Sequence, residues 1–173
     1  MKLAASRAGW GSPLPPDTGR GIAGATEPQP QWRTFTAAVV QARVDRASGA
    51  VTVEKITCVV DCGLVVNPDG ARAQIEGALL FGLSTALKEY GTVTRGAFDQ
   101  KNFEDYPILR IDEVPEIDVH IVPSVERSTG VGEPPLTVVA PALSNAIFAA
   151  TGARLRNLPF PPARVLKALN DKT

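Results

Sequence analysis

The residues of this 173-residue chain best suited to chemistry lie in Gly130-Val131-Gly132-Glu133-Pro134-Pro135-Leu136, where one carboxylate stands between a glycine turn and a proline pair. Glycine lets the backbone approach a ligand closely. Proline in a first helical turn forfeits no hydrogen bond, and the free N–H groups nearby can bind an anion or hold the carboxylate itself. Two roles fit Glu133: a general base, or a helix cap worth roughly 0.3 to 1 kcal/mol. Taken alone, the local sequence favours the cap.

Gln74 is the second lead. The stretch from Gly70 to Tyr90 has one apolar stripe, Ile75, Ala78, Leu79, Gly82, Leu83, Ala86 and Leu87. Its neighbouring stripe of Gln74, Gly77, Ala78, Phe81 and Thr85 is hardly more polar. This pattern predicts a helix buried on most of its circumference, with Gln74 buried too. A buried amide without partners costs on the order of 1 to 3 kcal/mol, so a loop of the core or a polar ligand must satisfy it. Gly77, one turn on, removes bulk beside it.

The remaining polar residues make weaker cases. His120, the one histidine, alternates with Val119 and Ile121 and has no nucleophile beside it in sequence, which argues against a triad. Asp61, Asp69, Glu76, Asp105 and Glu113 lack metal-loop spacing and read as caps, turn residues or solvated charges. Cys58 and Cys62 are too few for a disulfide scaffold and have no companion histidines for zinc, so they read as buried thiols. Gly19-Arg20-Gly21 is too short for a dinucleotide fingerprint.

These residues need a scaffold, and the pattern supplies one. Thr34 to Val44 and Ala50 to Val60 favour extended structure about a turn at Asp45-Arg46-Ala47-Ser48-Gly49, which makes a β-hairpin. Asn67-Pro68 supplies helix-start chemistry for the Gly70–Tyr90 helix. Ile117 to Val122 alternates as a half-buried strand. A second apolar helix runs from about Pro135 to Thr151, bent or restarted by Pro141 and ended by Gly152. The expected fold class is α+β, a mixed sheet with its hairpin packed against two buried helices. Residues 1–33 are expected as a loop-rich lead-in, with a short helix near Leu3 and regular structure resuming near Gly21, and residues 34–173 as the folded core.

Lysine plus arginine equal aspartate plus glutamate at 18 each, without the basic patch a nucleic-acid partner requires. No run reaches the roughly 18 consecutive apolar residues of a membrane span. The chain carries no targeting signal, so the cytoplasm is the expected compartment, or the periplasm if an upstream region carries an export signal.

Five ordered motifs carry a resemblance: Asp61-Cys62-Gly63, Asn67-Pro68, Gln74-Ile75-Glu76-Gly77-Ala78 with Phe81-Gly82-Leu83, Asn102-Phe103-Glu104-Asp105-Tyr106-Pro107, and Gly130 to Leu136. In this order they resemble the xanthine dehydrogenase family, most closely the molybdopterin-binding beta subunit of isoquinoline 1-oxidoreductase and related aldehyde dehydrogenase large subunits. The resemblance covers nearly all of this chain but only the C-terminal portion of the family's longer subunit. It implies the C-terminal half of a molybdenum-cofactor-binding domain, from an oxidoreductase that hydroxylates an N-heterocycle or aldehyde with water-derived oxygen.

Glu133 would then be the catalytic base. Gln74, Gly77, Gly130, Val131 and Gly132 would bind a molybdenum–molybdopterin cofactor, in its cytosine dinucleotide form, shared with an upstream region. The implied partners are the remainder of the large subunit, a small [2Fe-2S] iron–sulfur subunit that receives the electrons, and a small-molecule substrate. Two cysteines cannot hold a four-thiolate cluster themselves. The expectation is a truncated or split subunit, inactive alone. The alternative is a non-catalytic remnant or binding module that keeps the fold without cofactor.

Overall fold

The computed structural model describes residues 1–26 and 33–171. Parts of the expected lead-in (27–32) and of the core's end (172–173) lie outside the described residues.

Alternation governs the sheet. In β2 (Phe35–Val44), Ala38, Val40, Ala42 and Val44 face the main core, while Ala37 and Val39 face a smaller cluster on the opposite side. β2 pairs antiparallel with β3 (Val51–Asp61) through the expected hairpin, with the register slipping between Gln41 and Ala42. Asp45 organises the turn by accepting from the N–H groups of Ala47 and Ser48, and these bonds hold its carboxyl below the usual range. Beyond a two-residue antiparallel ladder of β4 (Val93–Thr94) and β5 (Ala97–Phe98), β6 (Glu116–Ile121) joins the other edge of β3 in parallel, which makes the sheet mixed.

The regular structure expected near Gly21, with no type assigned to it, is a strand. Thr18–Thr26 forms β1, paired antiparallel with β2 along its whole length, so the sheet order is β1-β2-β3-β6 and the folded core begins ahead of residue 34. Glycine and alanine at 19, 21, 23, 24 and 25 have little strand propensity, which hid it. A short helix, α1 (Lys2–Arg7), lies on the smaller-cluster face through Ala4.

The main core lies between the sheet and the helices. α2 (Pro68–Leu87) starts at Asn67, whose side chain accepts from the Gly70 N–H at 3.0 Å. It buries Ile75, Ala78, Leu79, Gly82, Leu83, Ser84 and Ala86. Ile75, Leu79 and Leu83 are wholly excluded from water, and each such burial stabilises by roughly 1.5 to 3 kcal/mol. The second apolar helix is divided at Val138 into α3 (Pro134–Thr137) and α4 (Val139–Thr151). Pro141 has no N–H to offer the Thr137 carbonyl and its ring crowds that carbonyl, so the break falls upstream of the proline. Gly152 ends α4 in the left-handed conformation at φ 74°. By length and composition Pro134–Thr151 could cross a membrane, but it is broken and half buried in the fold, so core packing accounts for its hydropathy. A final amphipathic helix, α5 (Pro162–Asn170), inserts Val165 into the core.

Candidate functional site

Because β3 and β6 run parallel, their C-terminal ends emerge together, and the loops that leave them are bonded to each other. The Leu64 N–H donates to the Glu126 carbonyl and the Thr129 N–H to the Cys62 carbonyl, both at 2.8 Å. Gly63 makes this approach possible. Its φ of +75° is left-handed, and a Cβ there would overlap the carbonyl of Arg127. A third strand end joins from β2's side: the hydroxyl of wholly buried Thr34 donates to the Gly130 carbonyl at 2.6 Å. The loop ending in Glu133 is therefore held from β2 and from the β3 exit.

Beyond Gly130 the hydrogen bonds stop, although half-buried Val131 still packs against the main core. Gly130, Gly132 and Glu133 are exposed, and a Cβ on either glycine would meet nothing within 4 Å. Glu133 is the N-cap residue of α3 but makes no side-chain capping bond, so the simple capping role is not realised. Among the described residues, the N–H groups of Val131, Gly132 and Glu133 donate to no protein acceptor. Pro134 and Pro135 are buried and fix the direction of the exit, and α3 in turn rests on α2 at Gly82, where a Cβ would stand 2.8 Å from the Leu136 carbonyl.

Gln74 requires a correction: it is exposed, not buried. Ala73, Gln74, Gly77 and Phe81 are all exposed on one side of α2, so that helix buries one face and not most of its circumference. The weak polarity of this stripe misled the reading, since apolar residues on a helix imply burial only if something packs there. Among the described residues only the 108–111 segment borders it, near Phe81. Gln74 makes no side-chain hydrogen bond there, and the space around a Cβ on Gly77 is empty. From Gly77 the stripe opens into a groove of about 340 Å³ lined by Phe81, Ile108 and Ile111. Phe81 is 62% exposed and Ile111 90%, an unusual amount of apolar surface beside one helix.

The structure thus places Glu133 and Gln74 on two elements that pack together, α3 and α2, without contact between them. Gln74 lies about 12 Å along the helix from the Gly82 crossing, at 1.5 Å per residue. These elements present an unbonded carboxylate, an unbonded amide, a run of free N–H donors and open space at Gly77, Gly130 and Gly132. A pterin bearing phosphates needs such donors and flat access, so the residues present fit that group. Sequence reasoning missed Thr34 and Thr129, which are 95 positions apart and carry no local signal. It quoted Gly63 without its role, though a glycine directly after a strand was the available clue.

Comparison with known proteins gives the family. A family model described as a molybdopterin cofactor-binding domain matches residues 15–115. The chain belongs to that family. It is 46% identical over 163 residues to the membrane-bound aldehyde dehydrogenase [pyrroloquinoline-quinone] of Gluconacetobacter polyoxogenes, covering 94% of this chain and 21% of that protein. It is 38% identical over 147 residues to the isoquinoline 1-oxidoreductase subunit beta of Brevundimonas diminuta, covering 85% of this chain and 19% of that protein. The solved aldehyde oxidoreductase from Desulfovibrio gigas superposes with a TM-score of 0.71 at 31% identity, over 80% of this chain and 16% of that one. The chain therefore spans about a fifth of the length of these relatives. The family match ends before Gly130, but a match spanning 94% of the chain reaches past Glu133 whichever end it lacks.

Proposed function

We propose that this chain forms the base-bearing wall of the cofactor site in a molybdenum hydroxylase large subunit. The observation that carries this reading is the unbonded Glu133 carboxylate on a glycine loop whose base is tied down and whose tip is open. A molybdenum–pterin group, when bound, supplies activation of water and a sink for two electrons. Glu133 takes the proton: a carboxylate oxygen accepts one from a donor held within about 3 Å. Gln74 offers an amide donor and acceptor to the pterin or its metal oxygens. Gly77, Gly130, Val131 and Gly132 let the backbone come close, with the free N–H groups of the loop as donors.

The reaction is oxidative hydroxylation of an N-heterocycle or an aldehyde, and the cofactor is the cytosine dinucleotide form. The rest of the large subunit closes the site from the other side, and a small [2Fe-2S] subunit receives the electrons. The exposure of Gln74, Gly77 and Phe81 supports this division, because a wall with no opposite side leaves its facing residues in water. The same exposure is what a non-catalytic remnant without cofactor would show, which is the second reading.

Purification of the tagged chain from its native host, followed by metal and pterin analysis, separates these readings. Molybdenum near one per chain, with larger partners bound, supports the hydroxylase. A chain free of metal and pterin supports the remnant.

A further inference from the structure

We propose that Thr34 is the positioning residue for Glu133, acting through a hydroxyl relay that anchors the loop just ahead of it. The proposal rests on the reading of Glu133 as the base. Thr34 is fully buried, and its Oγ1 lies 2.6 Å from the Gly130 carbonyl and 2.8 Å from the Thr129 Oγ1. A threonine hydroxyl carries one hydrogen, and a carbonyl can only accept. With the Thr34 hydrogen on Gly130, Thr129 must donate to Thr34. The relay therefore runs Thr129 O–H to Thr34 O–H to Gly130 C=O, a direction in which each bond polarises the next.

This anchor sits where the loop most needs one. On one side, the Thr129 N–H is held by the Cys62 carbonyl at 2.8 Å. On the other, Val131, Gly132 and Glu133 make no N–H bond to any described residue before buried Pro134. Three residues thus separate two fixed points, and of these Val131 is half-buried against the core while Gly132 and Glu133 are exposed. Moving the upstream point moves the carboxylate, and a misplacement of about 1 Å at a reacting group costs on the order of a hundredfold in rate.

The chain carries its own control. Thr36 lies two residues along the same extended chain, on the same face and 3% exposed, yet its hydroxyl has no hydrogen-bond partner. Removing a hydroxyl that bonds to nothing should leave the loop unmoved.

The test reads amide hydrogen exchange at Thr129 in the full chain, and turnover in the assembled holoenzyme. Thr34→Val should speed exchange at Thr129 roughly tenfold, the value of one lost hydrogen bond. It should also lower kcat by roughly ten- to a hundredfold with KM within about threefold and molybdenum retained. Thr34→Ser should restore both, and Thr36→Val should change neither. Exchange or kcat at the wild-type level in Thr34→Val overturns the proposal, as does a Thr36→Val effect of equal size. If Thr34→Val does not fold, Thr129→Val, which removes only the donor half, should speed exchange of the loop amides by a smaller factor, and wild-type exchange there overturns the proposal. Unchanged turnover in Glu133→Gln would remove the base reading instead, and the exchange data would still decide whether Thr34 anchors the loop.

Discussion

Gly63 lies so close to Arg127 that a Cβ on the glycine would overlap the arginine's carbonyl oxygen, and its φ of +75° is one that L side chains rarely adopt. That contact joins the exit of β3 to the loop leading to Glu133.

Gly63→Ala meets both obstacles. The left-handed conformation costs about 1 to 2 kcal/mol for an L residue, and the overlap adds to it by pushing the 124–130 loop away. The variant is expected to lose at least about 2 kcal/mol in urea unfolding and to retain less cofactor when assembled. Wild-type stability would mean the loops are not in contact there.

Gly21 plays the same part on the scaffold. A Cβ on it would overlap the Ala142 carbonyl and the Ala146 N–H of α4, whereas a Cβ on Gly24 comes close to the flexible end of Met1 and makes ordinary contact with the Thr36 carbonyl at 3.4 Å. Gly21→Ala should destabilise by about 2 to 3 kcal/mol and Gly24→Ala by less than about 1 kcal/mol. Equal losses in a denaturant titration would contradict the close packing of α4 on β1.

These two glycines show where the sequence was readable and where it was not. The hairpin, the strand at 116–121 and the two core helices follow from alternation, from Asn67-Pro68 and from Gly152, all local signals, whereas the strand's parallel pairing with β3 does not. β1 escaped because the close approach of α4 demands glycine at 19 and 21, and this requirement erases strand propensity. Gln74 was misplaced because periodicity reports which residues are apolar, not which surface finds a partner within this chain. Thr34 and Gly130 are joined across 96 positions, and no local pattern encodes such a bond.

Gln74→Ala separates a cofactor contact from a structural one. Gln74 is exposed on a helix and bonded to no described residue, and alanine is the better helix former, so stability should hold within about 0.5 kcal/mol. Molybdenum retained by the assembled subunit should fall. Unchanged cofactor content and rate would reject the role given to Gln74.

Burial pushes the Cys58 thiol up to about 12, from an ordinary value near 9. The folded chain then keeps a proton that the unfolded chain releases. The resulting stability is whole below pH about 9 and is lost as pH rises toward about 12, at up to roughly 1.4 kcal/mol per pH unit. Cys58→Ala removes this slope but leaves a cavity, so its deficit relative to wild type should shrink between pH 8 and pH 10.5 in urea titrations. A deficit that stays constant would show that Cys58 does not titrate on unfolding.

Glu133→Gln in the assembled large subunit, with molybdenum measured on the same sample, bears most directly on the proposed chemistry. The amide keeps the size of the side chain and takes away its ability to accept a proton, and loss of a positioned base lowers rates typically by a factor of about 10² to 10⁴. The account predicts turnover lowered by at least about a hundredfold with molybdenum content unchanged. Turnover at the wild-type level with full molybdenum would contradict it, and would leave Glu133 an exposed residue at the start of a short helix.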